Sequence, residues 1–361
     1  MIDITTQRYA LFALLAAALF GISAPLAKSL GAGMSSVMLA GLLYLGSGLA
    51  LATLRLVRRG KVERAESPMR RQALPWLLGA VVFGGALGPV LLIWGLHYTT
   101  GAFASLLLGL EGILTAIVAA LAFRESVDRR VWVAGILILA ASAALALPGG
   151  GTTSWIGVVA IAGACLCWAL DNNLTRPISS ADPMQIAATK GLLAGGFNLA
   201  LALFLGQSLP AWPQLAAALF LGALSYGVSL VLFILALRHL GSARAGAHFG
   251  TAPFFGAVFA VALGEPVTVW LILAVALTAL ATWLVLTERH QHAHTHEPMA
   301  HEHFHQHDDH HRHDHDFPWD PTKGHAHPHR HTPLTHSHAH LPDLHHRHGH
   351  ESPPRRQDGE M

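Results

Sequence analysis

Glu111 is the first residue that could do chemistry. It stands near the middle of a long apolar run, Gly101 to Glu125, which ends on a second carboxylate. An ionised side chain at the centre of a membrane helix costs about 3 kcal/mol on insertion scales, so it is seldom kept without a use. A carboxyl group there can carry a proton or pair with a substrate ammonium; a protonated Glu bonded to a neighbouring helix is the structural alternative. His248 lies within Gly246-Ala-His-Phe-Gly250, where the glycines leave room for a solute or another helix. Its imidazole can titrate near neutral pH, and a packing histidine explains it equally well. Arg244 sits four residues earlier on the same helical face, so the two form a polar strip entering from the cytoplasm.

Other polar residues in apolar runs have plainer explanations. Asp171-Asn172-Asn173 could line a cytoplasmic gate, but an ordinary helix end explains them more simply. Lys190 is expected to snorkel to the cytoplasmic interface, and Lys28 to the opposite one. His97 and His239 lie at span ends and are expected to be solvated. Pro25 should break the first span's hydrogen-bond ladder. Cys165 and Cys167, the only cysteines, are two apart on a helix and diverge, so no disulfide or joint metal site is expected.

A second chemistry lies at the end of the chain. Of the 26 histidines, 23 fall after residue 287, in alternating runs. They begin with His290, His292, His294 and His296, then His301, His303, His305 and His307, then His310, His311, His313 and His315. Further runs extend to His350. Neutral imidazoles beside Asp and Glu suit zinc, nickel, copper or cobalt. Large apolar residues are few, so this tail cannot bury a core and is expected to be disordered. It reads as a metal sensor or store, as a solvated tail that binds metal incidentally, or as a pH sensor. Its redundancy singles out no tetrahedral set.

The elements that position these residues follow from hydropathy. The 361 residues are 52% hydrophobic and 12% charged, with a mean hydropathy of +0.44. A soluble domain carries about 25% charged residues. Residues 1–287 hold 16 Lys and Arg against 9 Asp and Glu; the tail holds 7 against 12. A spanning helix needs about 20 apolar residues. By that measure spans fall near 10–30, 34–54, 74–96, 100–123, 131–147, 155–170, 184–206, 213–237, 243–263 and 267–287. The basic loops 55–73, 124–130, 171–183 and 238–244 alternate with loops free of Lys and Arg. That alternation places both termini in the cytoplasm. Most tryptophans fall near span ends, as interfacial rings do.

The chain also repeats itself. Gly101–Glu125 aligns with Gly241–Glu265 at an offset of 140. A unit of five spans used twice must enter the membrane in opposite senses, a recurrent plan for secondary transporters with a site between the halves. Glu125 then belongs at the cytoplasmic face and Glu265 at the outer one.

Three matched features bring in a family. The first repeat has Gly95-Leu-His-Tyr-Thr-Thr-Gly-Ala102, Leu110-Glu-Gly112 and Arg124-Glu125. The second has Ala236-Leu-Arg-His-Leu-Gly-Ser-Ala243, Thr251-Ala-Pro253 and Leu263-Gly-Glu-Pro266. These resemble the corner before the fourth span of each repeat, and the closing Gly-Glu, of the EamA family in the drug/metabolite transporter superfamily. Glu125, Pro253 and Glu265 carry the signature. Arg124 stands where Gly is usual and Gly112 where Pro is usual. The resemblance covers residues 10–287 and implies ten helices, alternating access and export of a small metabolite.

The expected fold is therefore all-α and membrane-embedded. Residues 1–9 form a cytoplasmic segment, 10–147 and 155–287 two inverted five-helix repeats, and 288–361 a disordered His-rich cytoplasmic tail. The expected function is a metabolite carrier of the cytoplasmic (inner) membrane, possible as a homodimer. Glu111, His248, Arg244, Asn172 and Asn173 are its substrate or coupling residues. No cofactor is required beyond metal on the tail, and no nucleic acid or enzymatic step is expected, since no nucleophile–base pair or phosphate loop stands out. The alternative is a Ni, Co or Zn transporter, or a membrane-anchored metal buffer. Against it, the spans lack the cluster of His, Asp and Cys that a dehydrated divalent ion wants.

Overall fold

Inside a bilayer no water satisfies backbone N–H and C=O groups, so long apolar runs close their hydrogen bonds as helices. The computed structural model describes residues 4–58, 71–123, 129–145, 154–178, 181–240, 248–286, 291–296, 300–305, 325–330 and 334–339. Among them, seven helices are long and apolar enough to cross a membrane: Gln7–Leu30, Ser36–Val57, Arg71–Leu96, Gly101–Ala122, Trp155–Thr175, Met184–Phe204 and Trp212–Ala236. Three further apolar helices, α8 (Arg129–Leu145), α13 (Ala252–Ala262) and α14 (Val269–Leu286), fall on the expected fifth, ninth and tenth spans. Large apolar side chains such as Leu121, Val159, Phe220 and Val258 point outward, as a lipid-facing surface requires.

Among the described residues, several spans are interrupted. The first breaks between α1 (Ile4–Gly21) and α2 (Ser23–Leu30). Pro25 lies a turn beyond the break; it has no N–H to give and its ring crowds the carbonyl four residues back. The fourth breaks between α6 (Gly101–Leu107) and α7 (Leu110–Phe123). The third and eighth widen instead. Val81–Leu87 is a π-helical turn between α4 (Leu74–Ala80) and α5 (Gly88–Leu96). Ala223–Val228 is another, between α11 (Trp212–Gly222) and α12 (Ser229–Leu240). The two π turns lie about 140 positions apart, as do the helix break at Leu108–Gly109 and the turn at Gly250–Thr251 that precedes α13.

Glycines let two helices pack closely. α3 (Ser36–Arg58) crosses α10 (Pro183–Phe204) main chain to main chain. A Cβ at Gly191 would lie 2.8 Å from Gly48 Cα, and one at Gly41 would lie 2.7 Å from Leu199 N. Gly191 and Gly195 thus carry the small-residue packing that their spacing suggests. At one end of this pair Asp182 caps α10 by accepting from Met184 N and Gln185 N, and Arg55 Nε donates to it at 3.1 Å.

Two expectations need correction here. The sixth span is not short: α9 runs from Trp155 to Thr175, so Asp171, Asn172 and Asn173 lie within the helix. The tail is not without regular structure in its described residues. β1 (Gln291–His296) pairs antiparallel with β4 (Leu334–Ala339), and β2 (Ala300–His305) with β3 (His325–Arg330). The same register continues from one pair to the other. The physical reason is the period of two in His-x-His, which matches the pleat of a strand. The register sets His292 opposite His338, His294 opposite His336, His301 opposite His329, His303 opposite His327 and His305 opposite His325. His290, His307, His310, His311, His313 and His315 lie outside the described residues, as do Arg244 and Glu125.

Candidate functional site

The break at Leu108–Gly109 changes the setting of Glu111. It is not at the centre of a continuous helix but in the first turn of α7, midway along the span. Unpaired N–H groups and the macrodipole make a helix N-terminus favourable for a carboxylate. Thr115 Oγ1 donates to the Glu111 carbonyl at 2.8 Å. From α9, Asn172 Nδ2 donates to Glu111 Oε1 at 3.1 Å and lies 3.2 Å from Thr115 Oγ1. Asn173 Nδ2 donates to the carbonyls of Ala169 and Thr115, at 2.8 and 3.1 Å. The two asparagines thus lock α9 to α7 around the carboxylate. They are not an ordinary helix end.

Asp171 makes the second polar centre. Lys190 Nζ of α10 donates to Asp171 Oδ2 at 2.6 Å, and Thr175 Oγ1 donates to Oδ1 at 3.2 Å. The Asp171 side chain is 5% exposed and that of Lys190 21%. Lys190 therefore turns inward to a partner and does not snorkel. A charge this deep needs its counter-ion, because stranding either partner is strongly destabilising. Gly84 makes room for the pair: a Cβ there would run into the Asp171 carboxylate.

The π turn at Val81–Leu87 supplies acceptors. Such a turn frees backbone carbonyls from their usual partners. Gly84 O accepts from Tyr44 OH at 2.7 Å and from Trp168 Nε1 at 3.0 Å. Asn198 Nδ2 reaches Ala86 O at 3.3 Å.

These residues surround two cavities, each of about 290 Å³. One is polar, lined by Tyr44, Trp168, Asp171, Lys190, Ser225 and Tyr226 among others. The other is largely apolar, lined by Leu108, Gly112, Ile113, Ile138, Pro253 and Val285 among others. Phe20, Glu111 and Phe249 line both. Pro253 stands in the first turn of α13, where a missing N–H costs nothing. His248 is not among the residues lining either cavity, although Phe249 and Gly250 are; its carbonyl accepts from Thr251 Oγ1 at 2.6 Å.

Glu265 lies apart from both cavities and joins the two halves of the chain. Its carboxylate accepts from Gly101 N at 2.6 Å and Ala102 N at 2.9 Å, capping α6. Lys28 Nζ lies 3.4 Å away and donates to Thr99 O at 2.7 Å. Gly264, with φ 101°, makes the turn that aims Glu265 back. Among residues whose side chains are described, no group of three His, Cys, Asp or Glu could hold a metal. Both cysteines are buried and free.

Sequence reasoning singled out Glu111, which lines both cavities, but favoured a helix end for Asn172 and Asn173. It missed the Asp171–Lys190 pair, Tyr44, Trp168, Tyr226 and Ser225. Two signals were available: Asp171 and Lys190 are ionisable residues within apolar runs, and Trp168 lies in the same run as Asp171.

The EamA-like transporter family model matches residues 7–147 and again 155–287. A curated relative from Methanothermobacter thermautotrophicus, described as an uncharacterized transporter, is 29% identical over 271 residues. The match covers 69% of this chain and 78% of the relative. A solved crystal structure shares the fold at a TM-score of 0.56 and 19% identity, over 77% of this chain and 95% of that one.

Proposed function

The chain belongs to the EamA-like transporter family, and from that premise we propose that it is a proton-coupled secondary carrier exporting a small organic solute across the cytoplasmic membrane. The family is one of carriers, not enzymes. Ten spans in two inverted five-helix repeats, with both termini cytoplasmic, fit the doubled family match and the recurrence of π turn and helix break at one offset. The Glu265 clasp lies at the end assigned to the outer face by the Lys and Arg pattern. The polar cavity, with Lys190, lies toward the cytoplasmic end. Together these fit a state closed outside.

The observation that carries the proposal is the Glu111 carboxylate, set at a helix break, facing both cavities and held by the neutral Asn172. A carboxyl group so placed can exchange a proton for a solute as access alternates. Purified protein in vesicles with an internal pH dye tests this. Adding a panel of amines and amino acids should produce proton movement with the wild type and none with Glu111→Gln. Proton movement unaltered by that substitution would remove Glu111 from the coupling step.

The tail is read as a cytoplasmic metal-responsive segment that regulates the carrier. The His-on-His register of its strands supports this, since cross-strand neighbours lie about 5 Å apart at Cβ. Truncation at residue 289 tests it: transport should persist and lose its response to nickel or zinc.

A further inference from the structure

We infer that the two cavities meeting at Glu111 form one site for an organic amine with an apolar body and no carboxylate. This rests on the carrier reading and specifies the class of its cargo.

Charge decides the head group. Among the described residues, three charged side chains line the polar cavity: Glu111, Asp171 and Lys190. Asp171 and Lys190 are within 2.6 Å and neutralise each other. Asn172, which donates to the Glu111 carboxylate, is neutral. Ionised Glu111 therefore leaves one negative charge at the junction, which a single ammonium group answers. A zwitterion would bring a carboxylate that needs a cation of its own. The lysine lining this cavity is already engaged, and releasing it would strand the buried Asp171.

An unmet hydrogen bond supports the same end of the site. Ser225 lines the polar cavity, is 1% exposed, and its Oγ has no partner. Buried hydroxyls are rarely left so. A ligand N–H would satisfy it.

Shape decides the body. Glu111 also lines the apolar cavity, so a ligand bound there by its ammonium can lay its chain among Ile113, Ile138, Pro253 and Val285. Gly112 reports the free space directly: a Cβ at that position would meet nothing within 4 Å. The volume suits a small solute.

Calorimetry on the full chain in lipid nanodiscs tests this, with straight-chain amines from propyl to octyl, matching carboxylic acids and norleucine, against empty nanodiscs. Amine Kd should fall about fourfold per added methylene until the cavity is full. Acids should not bind, and norleucine should bind at least tenfold more weakly than pentylamine. Gly112→Leu should flatten the chain-length dependence. Thr282→Leu, on the same cavity, serves if that variant does not fold. Glu111→Gln should abolish amine binding. Norleucine binding as tightly as pentylamine, or a Kd independent of chain length, would overturn the inference. If solute-driven proton flux then persists with another compound and still needs Glu111, the carrier reading stands without it. If no compound drives flux, the carrier reading itself fails.

Discussion

The Glu265 carboxylate accepts the Gly101 backbone N–H at 2.6 Å, across 164 positions of sequence. One residue lies between α13 and α14, within the second family match, and the other opens α6, within the first. The bond therefore fixes one half of the molecule to the other at one end of the bundle.

Removing that clasp should loosen this end. Hydrogen bonds to a charged group contribute about 1.5–3 kcal/mol each. Glu265 is half-buried, so Glu265→Ala should cost toward the lower part of that range and lower the Tm in detergent. Cysteines at Lys28 and Glu265 joined by a short bifunctional thiol cross-linker should stop transport, since the two side-chain tips meet there. Transport undiminished in the cross-linked form would mean that this end need not open.

Gly264 precedes the clasp with φ 101°. A side chain in left-handed backbone costs about 1–2 kcal/mol. Gly264→Ala should therefore lower the Tm. Combined with Glu265→Ala it should add little, because both act on the same contact. Full additivity of the two losses in thermal denaturation would separate them.

Asp171→Asn should be severe, about 3–5 kcal/mol, because it leaves Lys190 buried without a counter-charge. Pairing it with Lys190→Met should recover much of the folded yield. Gly84→Ala should mimic Asp171→Asn, since the new methyl group would occupy the carboxylate's place. Folded fraction by size-exclusion chromatography measures all three.

In the tail, His303→Ala and His327→Ala should be coupled in nickel affinity, because the register sets these residues opposite each other. His303→Ala combined with His338→Ala, on the other strand pair, should be additive. Titration of single and double variants gives the coupling directly. Equal additivity in both cycles would remove the ladder from metal binding.

Much of this was legible in sequence. Hydropathy located the seven membrane-length helices to within about five residues, Pro25 marked the first break, and Glu111 stood out because a carboxylate is costly in lipid. The family resemblance of residues 10–287 agrees with the match over 7–147 and 155–287. What stayed hidden was tertiary. Nothing in Ala188-Thr-Lys190 says that the amine will find Asp171 and not the interface. The break at Leu108–Gly109 has no proline to announce it. The π turn at Val81–Leu87 goes with what donates to the Gly84 carbonyl, namely Tyr44 and Trp168, which come from distant spans. Asn172 and Asn173 looked like a terminus because three polar residues in sequence usually mark one. His248 falls beside the cavity lining and not in it, while its neighbours Phe249 and Gly250 are in it.

The glycine contact between α3 and α10 has a mechanical consequence. Gly41 and Gly48 meet Gly195 and Gly191 with main chain against main chain. Such a seam has one seating and little play. These two helices should then travel as a single strut, and whatever rocks during a transport cycle must hinge around them.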